Sequence, residues 1–323
     1  MGLIESSKVY SGQELENIFF RPVFSGPSAD KLGIRVLYNM PVPTTVHLWS
    51  PAGSVLKPYQ AGWQGGSATV REHKTIDMKR VKAETAFSAS DYFSMVFEHI
   101  TNSSAVSLQD LSGTALEEAE TALFKAAIAE SLRMTMWVGD SAGAGGSNTF
   151  DGIIKSAYYA AKTAKEAGAY QIEDDISADN VVEVLENVWN AAQPVLRAQK
   201  NDGQLAFFVT SDICDAYERY LDAKGADSAY RESTEGRPTL CYHGIPLVDM
   251  CLGSALDSTS LPPVVCMLTD RRNLVLAVNT ADYPETEVRM WYNPDAMENR
   301  QRAVFLAGAD IIDPRLVSFG YAE

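Results

Sequence analysis

Residues 112–154 read SGTALEEAETALFKAAIAESLRMTMWVGDSAGAGGSNTFDGII. Thr114 and Glu117 have capping-box spacing, so the threonine can accept from a free amide three residues on while the glutamate reaches back. Glu117, Glu118 and Glu120 suit the positive end of a helix dipole, and Arg133 suits the negative end. Leu116, Ala119, Leu123 and Ala127 recur at helical spacing, and Ile128, Leu132 and Met136 prolong the apolar stripe. The alanines permit close approach of another backbone, and Gly139 is a natural stop. The pattern predicts one helix over about 114–138, roughly 35 Å long at 1.5 Å per residue. Such a helix is a core element or a strut. A Gly/Ser loop follows it, and order resumes at Phe150-Asp151-Gly152.

The rest of the chain mixes strands with helices. Residues 44–87 read as a two-stranded ribbon: TTVHLW, a glycine-rich tip, and a charged return, TVREHKTIDMKRVKAETAF. Residues 88–111 read as a short helix and a turn. Asp179 stands where a cap would open a second amphipathic helix, with Val181, Leu185, Val188, Ala192 and Leu196 on one face. LAFFVT (205–210) reads as a buried strand, SDICDAYERYL (211–221) as a helix, and PTLCYHGIPLVDM as a hairpin turning at His243-Gly244. PVVCML, NLVLAV, EVRMWY and RAVFLAGADII read as further strands. The class is α+β.

Composition sets bounds on function. The chain has 323 residues, 46% hydrophobic and 21% charged, which are globular values. The formal net charge is −15. It is uneven, with ten Lys/Arg against nine Asp/Glu in residues 1–100 and seventeen against thirty-three in the remainder. A sequence-specific DNA reader would carry the opposite balance. No apolar run is long enough to span a membrane, no cationic-then-apolar leader opens the chain, and Gly2 lies in a poor context for myristoylation. Cys214, Cys241, Cys251 and Cys266 form no C-x-x-C pair and no zinc pattern, so they read as free thiols.

Candidate chemistry is sparse. The loop GDSAGAGGSN lacks the GK[ST] ending of a phosphate-binding loop and follows a helix rather than a strand, so it reads as a connector. His47, His73, His99 and His243 are scattered, Glu173-Asp174-Asp175 reads as a solvated turn, and Arg271-Arg272 as a turn with exposed guanidiniums. No catalytic triad, metal set or cofactor fingerprint emerges. Catalytic residues, cofactors and metals are all expected to be absent.

The order of parts carries more than any one motif. An arm, a charged ribbon, a long helix ending in Gly-Asp and F-D-G-I-I come first. FFVTSDICDAYERYL and Tyr242-His243-Gly244-Ile245-Pro246-Leu247 follow. The chain closes on RMWYNPDAMENRQRAVFLAGADIIDPRLV. This order resembles the major capsid proteins of tailed bacteriophages, the Hong Kong ninety-seven (Johnson) fold, over nearly the whole chain. The resemblance implies an N-terminal arm at 1–43, an extended loop at 44–87 and a peripheral domain at 88–177 with the long helix as its spine. It further implies an axial domain at 178–285 and a return to the peripheral domain at 286–323.

It also implies self-assembly into hexamers and pentamers of an icosahedral shell around double-stranded DNA. The partners would be a separate scaffolding protein, a portal and decoration proteins, with DNA contacted only non-specifically and no membrane. The location would be the virion, after assembly in the host bacterial cytoplasm. Residues expected at subunit contacts are Phe19, Phe20, Arg21 and Phe24 in the arm, and Lys57, Tyr59 and Trp63 at the ribbon tip. Asn293, Asn299 and Arg300 in the closing hairpin complete the set. Some relatives crosslink a loop lysine to a neighbour's asparagine, for which Lys57, Asn293 and Asn299 are the candidates. The alternatives are an encapsulin-like shell, against which the Pro- and aromatic-rich arm argues, and a soluble acidic α+β enzyme with a site in the 139–150 loop.

Overall fold

A computed structural model describes residues 29–38, 44–50, 59–62, 70–87, 115–143, 147–225, 230–232, 238–257, 259–279 and 289–322. In chain order the first elements are α1 (Ala29–Leu32), β1 (Arg35–Tyr38), β2 (Thr44–Ser50), β3 (Val70–Ile76) and β4 (Lys79–Phe87). Next come α2 (Ala115–Val138), α3 (Ile153–Tyr158) continued by a π-helical turn (Tyr159–Ala164), β5 (Gly168–Ile172), α4 (Val181–Ala191) and α5 (Pro194–Ala198). They are followed by β6 (Leu205–Val209), α6 (Ser211–Lys224), β7 (Tyr230–Glu232), β8 (Pro238–Tyr242) and β9 (Ile245–Asp249). The last are β10 (Val265–Asp270), β11 (Leu274–Asn279), β12 (Arg289–Asn293), β13 (Glu298–Ile311) and β14 (Val317–Ala322).

The strands form three sheets. A seven-stranded sheet has the order β5-β14-β10-β6-β9-β8-β7, a second runs β1-β11-β13-β12 with β4 also paired to β13, and β2 pairs β3 alone. The sequence LAFFV shows why the large sheet is central. Successive side chains of a strand point to opposite faces. In β6, Phe208 joins one apolar core with Trp137, Ile154, Met267 and Phe319, while Phe207 joins the other with Leu185, Val188, Ile213 and Leu268. All five residues of β6 are therefore buried, and the run is continuous rather than alternating. β13 shows both regimes. It alternates over Glu298–Arg302, then is buried without interruption from Ala303 to Ala309, where it passes into the interior.

Four expectations change. The charged return of the ribbon is not one strand. It breaks at Asp77-Met78, so that β3 pairs β2 from Thr44↔Ile76 to Ser50↔Val70, while β4 leaves to pair β13 over Lys79–Phe87. Met78 is buried in a small core with Val46, Ile76 and Leu306, and this anchors the break. The second amphipathic helix is two helices. Leu196 keeps its buried position, but Pro194 has no amide hydrogen to continue α4 and instead opens α5. Asp179 does not cap α4; Asn180 occupies that position. Its side chain turns back on the preceding turn, accepting from the Ser177 amide at 2.8 Å and donating to the Asp175 carbonyl at 2.8 Å. An ionised aspartate could accept there but could not donate.

The long helix also packs differently from its expected stripe. Leu123 and Ala127 are half-buried, whereas Glu120 and Phe124 are buried and Ile128 and Leu132 pack on the core. From Thr135 to Val138 every residue is buried. The helix enters the interior end-on, so its last turn loses an exposed face. Thr114, Gly113 and the short helix expected within 88–111 lie outside the described residues.

Candidate functional site: surfaces for assembly

The Gly/Ser loop after α2 was weighed in the sequence as a phosphate-binding loop. Its described residues are tied together by their own groups. The Asp140 amide donates to the Ser147 carbonyl at 3.1 Å, and the Gly152 amide donates to the Gly139 carbonyl at 2.8 Å. A β-carbon on Gly139 would fall on the Phe150 carbonyl oxygen, and one on Gly152 would fall on the Gly139 nitrogen and the Trp137 carbonyl. Glycine is required at both positions because two backbones touch. Lys155 clamps the closure, with Nζ at 2.7 Å from Oδ1 of Asp140 and 2.7 Å from Oδ1 of Asp151. The Ser141 amide and hydroxyl also donate to Asp151, and the Ala142 amide to Asp140.

Lys155 and the Ala142 amide hold the Asp140 carboxyl below its ordinary range. At Asp151 burial pushes upward, but Lys155 and Ser141 overcome it and the net shift is down. At Lys155 burial pushes downward, and the two carboxylates overcome it and raise the ammonium. All three groups are fixed in their charged forms near neutral pH. That suits a clamp and not proton transfer, which needs a group poised near the working pH.

A second polar cluster ties α2 to the large sheet. Arg133 is only 6% exposed. Its guanidinium donates to Glu130 (Nε to Oε2 at 2.8 Å, Nη2 to Oε1 at 2.6 Å), to the Met250 carbonyl at 2.9 Å and to the Cys251 carbonyl at 3.2 Å. The receiving turn is itself pinned. Asp249 Oδ1 accepts from the Cys251 amide at 2.8 Å, both Asp249 oxygens accept from the Ser211 hydroxyl, and Cys251 is held at φ 49°. Sequence reasoning gave Arg133 only a dipole role. The missed signal is that it is the one cation in the apolar half of α2, where a charge must find fixed partners.

The remaining candidates carry no reaction centre. Among the described residues no group of three or more His, Cys, Asp or Glu could hold a metal ion. The four cysteines are free; burial pushes the Cys214 thiol up to about 12 and Cys266 also upward, so neither is a ready nucleophile. Arg272 is taken by Asp270, at 2.6 Å. Contrary to the expectation of two exposed guanidiniums, Arg271 is half-buried, and burial lowers its pKa. His47 and His73 face each other across β2 and β3, and His99 lies outside the described residues.

Several large apolar side chains are exposed among the described residues. Tyr59 is 94% exposed, Met297 60% and Trp291 41%. Trp291 and Met297 belong to the β12–β13 hairpin, where Arg302 lies 5.9 Å from the Trp291 ring centroid. Asn293 Oδ1 accepts from the Asp295 amide at 3.2 Å, and Arg300 pairs with Glu298 at 3.4 Å. Asn299 differs from its neighbours. It is fully buried, in register with Phe87 on one side and Tyr292 on the other. The structure thus brings Asn293, Asn299 and Arg300 onto one hairpin. Phe19, Phe20, Arg21, Phe24, Lys57 and Trp63 lie outside the described residues.

No family model matches the sequence, and no curated protein resembles it. Solved structures do. A chain of the satellite phage P4 procapsid, which includes the size determination (Sid) protein, superposes with a TM-score of 0.57 at 9% identity, covering 98% of this chain and 93% of that one. The capsid of cyanophage P-SCSP1u gives 0.54 at 9% identity, covering 100% and 97%. The SrpI encapsulin complex of Synechococcus elongatus PCC 7942 gives 0.50 at 9% identity, covering 88% and 84%.

The chain has the fold of phage capsid proteins. Identities this low speak for architecture alone.

Proposed function

We propose that this chain is a major capsid protein that assembles into hexamers and pentamers of an icosahedral phage shell enclosing double-stranded DNA. The observation that carries the reading is the end-to-end match to the P4 procapsid chain and the P-SCSP1u capsid. A shared fold alone can host many functions. Here it is joined by a hairpin that leaves Trp291 and Met297 exposed, surface that a neighbouring copy would cover. Many weak contacts repeated around a closed shell then add through valency. A formal charge of −15 keeps an inner wall from adhering to packaged DNA. This supports a structural role rather than an enzymatic one.

In this reading residues 1–43 are the arm and 44–87 the extended loop. Residues 88–177 and 286–323 build the peripheral domain around α2, and 178–285 build the axial domain. The division follows the order of elements along the chain, while both apolar cores draw on residues from each side of it. Phe19, Phe20, Arg21, Phe24, Lys57, Tyr59, Trp63, Asn293 and Arg300 are proposed contact residues. Asn299 would have to be uncovered to join them, so a crosslink from Lys57 would fall on Asn293. Boiled particles running only as monomer on a denaturing gel would exclude that bond. Scaffolding, portal and decoration proteins, and assembly in a bacterial cytoplasm, belong to the same proposal.

Electron microscopy of the purified protein tests the whole. Closed shells are expected, and a compact monomer under all conditions would refute it. The likeness to an encapsulin favours one second reading, a nanocompartment shell. Mass spectrometry of particle contents separates the two, with DNA expected here and a co-packaged enzyme in the other case.

A further inference from the structure

His47 and His73 look unrelated along the chain, but the register of the ribbon sets them on one rung. β2 and β3 pair antiparallel from Thr44↔Ile76 to Ser50↔Val70, and His47↔His73 is the central pair. Successive side chains of a strand point to opposite sides, so the ribbon has an inner and an outer face. Thr44, Val46 and Ile76 are buried on the inner face. Lys74 and Glu72 share that face and are tied down, Lys74 to Asp310 at 2.9 Å and Glu72 to Arg315 at 2.9 Å. The two histidines have the other parity, and both are exposed.

Neither ring is used by the fold. Among the described residues neither histidine has a hydrogen bond, an ion pair or a ring contact. An exposed strand position is served by an ordinary β-former, as Thr75 on the same face shows. The chain has only four histidines in 323 residues, so two of them on one rung call for an explanation.

We propose that His47 and His73 form a two-imidazole site for a divalent transition-metal ion, which staples β2 to β3 at the centre of the ribbon. Directly opposed residues of an antiparallel pair have Cβ atoms about 4.5–5.5 Å apart. Imidazole nitrogens bind such ions at about 2.0–2.1 Å, so two nitrogens on one tetrahedral ion stand roughly 3.4 Å apart. Rotation about χ1 and χ2 of two free side chains closes the first separation onto the second. Neutral imidazole suits zinc, copper and nickel, whereas magnesium and calcium take oxygen ligands. Among the described residues no group of three or more His, Cys, Asp or Glu could hold the ion, so water fills its remaining positions. The site is therefore open and exchangeable, unlike a closed four-ligand structural zinc centre. Its effect is mechanical. A two-stranded ribbon is marginal by itself, and a bridge across the outer face adds to the packing of the inner one. The inference stands on the ribbon alone and does not depend on the shell reading.

The test uses the purified full chain, stripped with a chelator and titrated with nickel chloride in a calorimeter. One ion per chain is expected, with affinity at least about ten-fold weaker in His47→Asn and in His73→Asn and unchanged in His243→Asn. Excess magnesium should not compete. Hydrogen exchange then reads the staple: nickel should slow deuterium uptake over 44–50 and 70–76 in the wild type and not in His47→Asn. A measurement on the wild type alone covers the case in which a variant fails to fold. Bound copper(II) should show two imidazole nitrogens in its electron paramagnetic resonance spectrum. Absence of saturable nickel binding, equal binding in the two ribbon variants, or a single coordinating nitrogen each overturns the site. One ion per two chains would place it between copies and overturn the cross-strand pair. Binding that leaves the exchange of β2 and β3 unchanged overturns the staple.

Discussion

Replacing Arg133 by alanine should cost the unassembled protein about 3–5 kcal/mol, the range for removing one partner of a buried ion pair. The structure supplies the terms. Glu130 would lose both of its donors and remain a largely buried carboxylate, and the Met250 and Cys251 carbonyls would each lose a charged donor. A buried acceptor left unmade costs roughly 1–3 kcal/mol. Against a typical total of about 5–15 kcal/mol the loss is large. Arg133→Lys keeps the charge but cannot reach four acceptors from one planar group, so an intermediate loss of about 1–3 kcal/mol is expected. Glu130→Gln should cost less than either, because its amide still accepts from the guanidinium. Urea unfolding followed by far-UV circular dichroism gives all three values. The order Ala, then Lys, then Gln is the signature. A loss under about 1 kcal/mol for Arg133→Ala would show that the cluster is not what joins α2 to the turn after β9.

Further outcomes follow from the packing and the charges. Trp137→Ala should cost about 3–5 kcal/mol, since the ring is fully buried and lies 5.4 Å from that of Phe208; thermal unfolding reads the loss. Leu123→Asp, on a half-buried position, should leave the unassembled protein folded within about 1 kcal/mol and act on assembly instead, which light scattering separates from unfolding. Lys155→Met should destabilise by about 1 kcal/mol near neutral pH, a modest figure because Asp151 is 46% exposed. The two carboxyls are held below their ordinary value of 3.8, so their contribution is present above it and lost as pH falls through the lower folded values. The raised Lys155 contributes until pH climbs through its folded value, above 10.5. The difference between wild type and Lys155→Met should therefore shrink below about pH 4 and above about pH 10.5, measured by melting temperature across pH. Trp291→Ser with Met297→Ser should leave the melting temperature of the unassembled protein unchanged and reduce particle yield.

Much of the fold was legible in local pattern. The Ala-rich periodicity marked α2, which ends at Val138 immediately before Gly139, and LAFFV, the His243-Gly244 turn and the α6 helix lie where their residues put them. These elements are set by interactions a few residues apart, namely helical periodicity, strand alternation and the positive φ of a tight turn. The candidate surfaces were less legible. Asn293 and Asn299 look alike in the string NPDAMEN, yet only pairing with β4 and β12 buries the second.

What the sequence determined by itself was the order of elements, the class and the absence of any recognisable catalytic motif. Tertiary structure decided which residues of those elements are covered. Arg133 became a tether because the turn after β9, more than a hundred residues away, presents two carbonyls to it. The charged ribbon split at Met78 because a pocket formed by Val46, Ile76 and Leu306 accepts that side chain. His47 and His73 share a rung because β2 and β3 pair in that register. Burial of a charge, an anchor in a strand and a rung between strands all depend on groups distant along the chain, and no local periodicity encodes them.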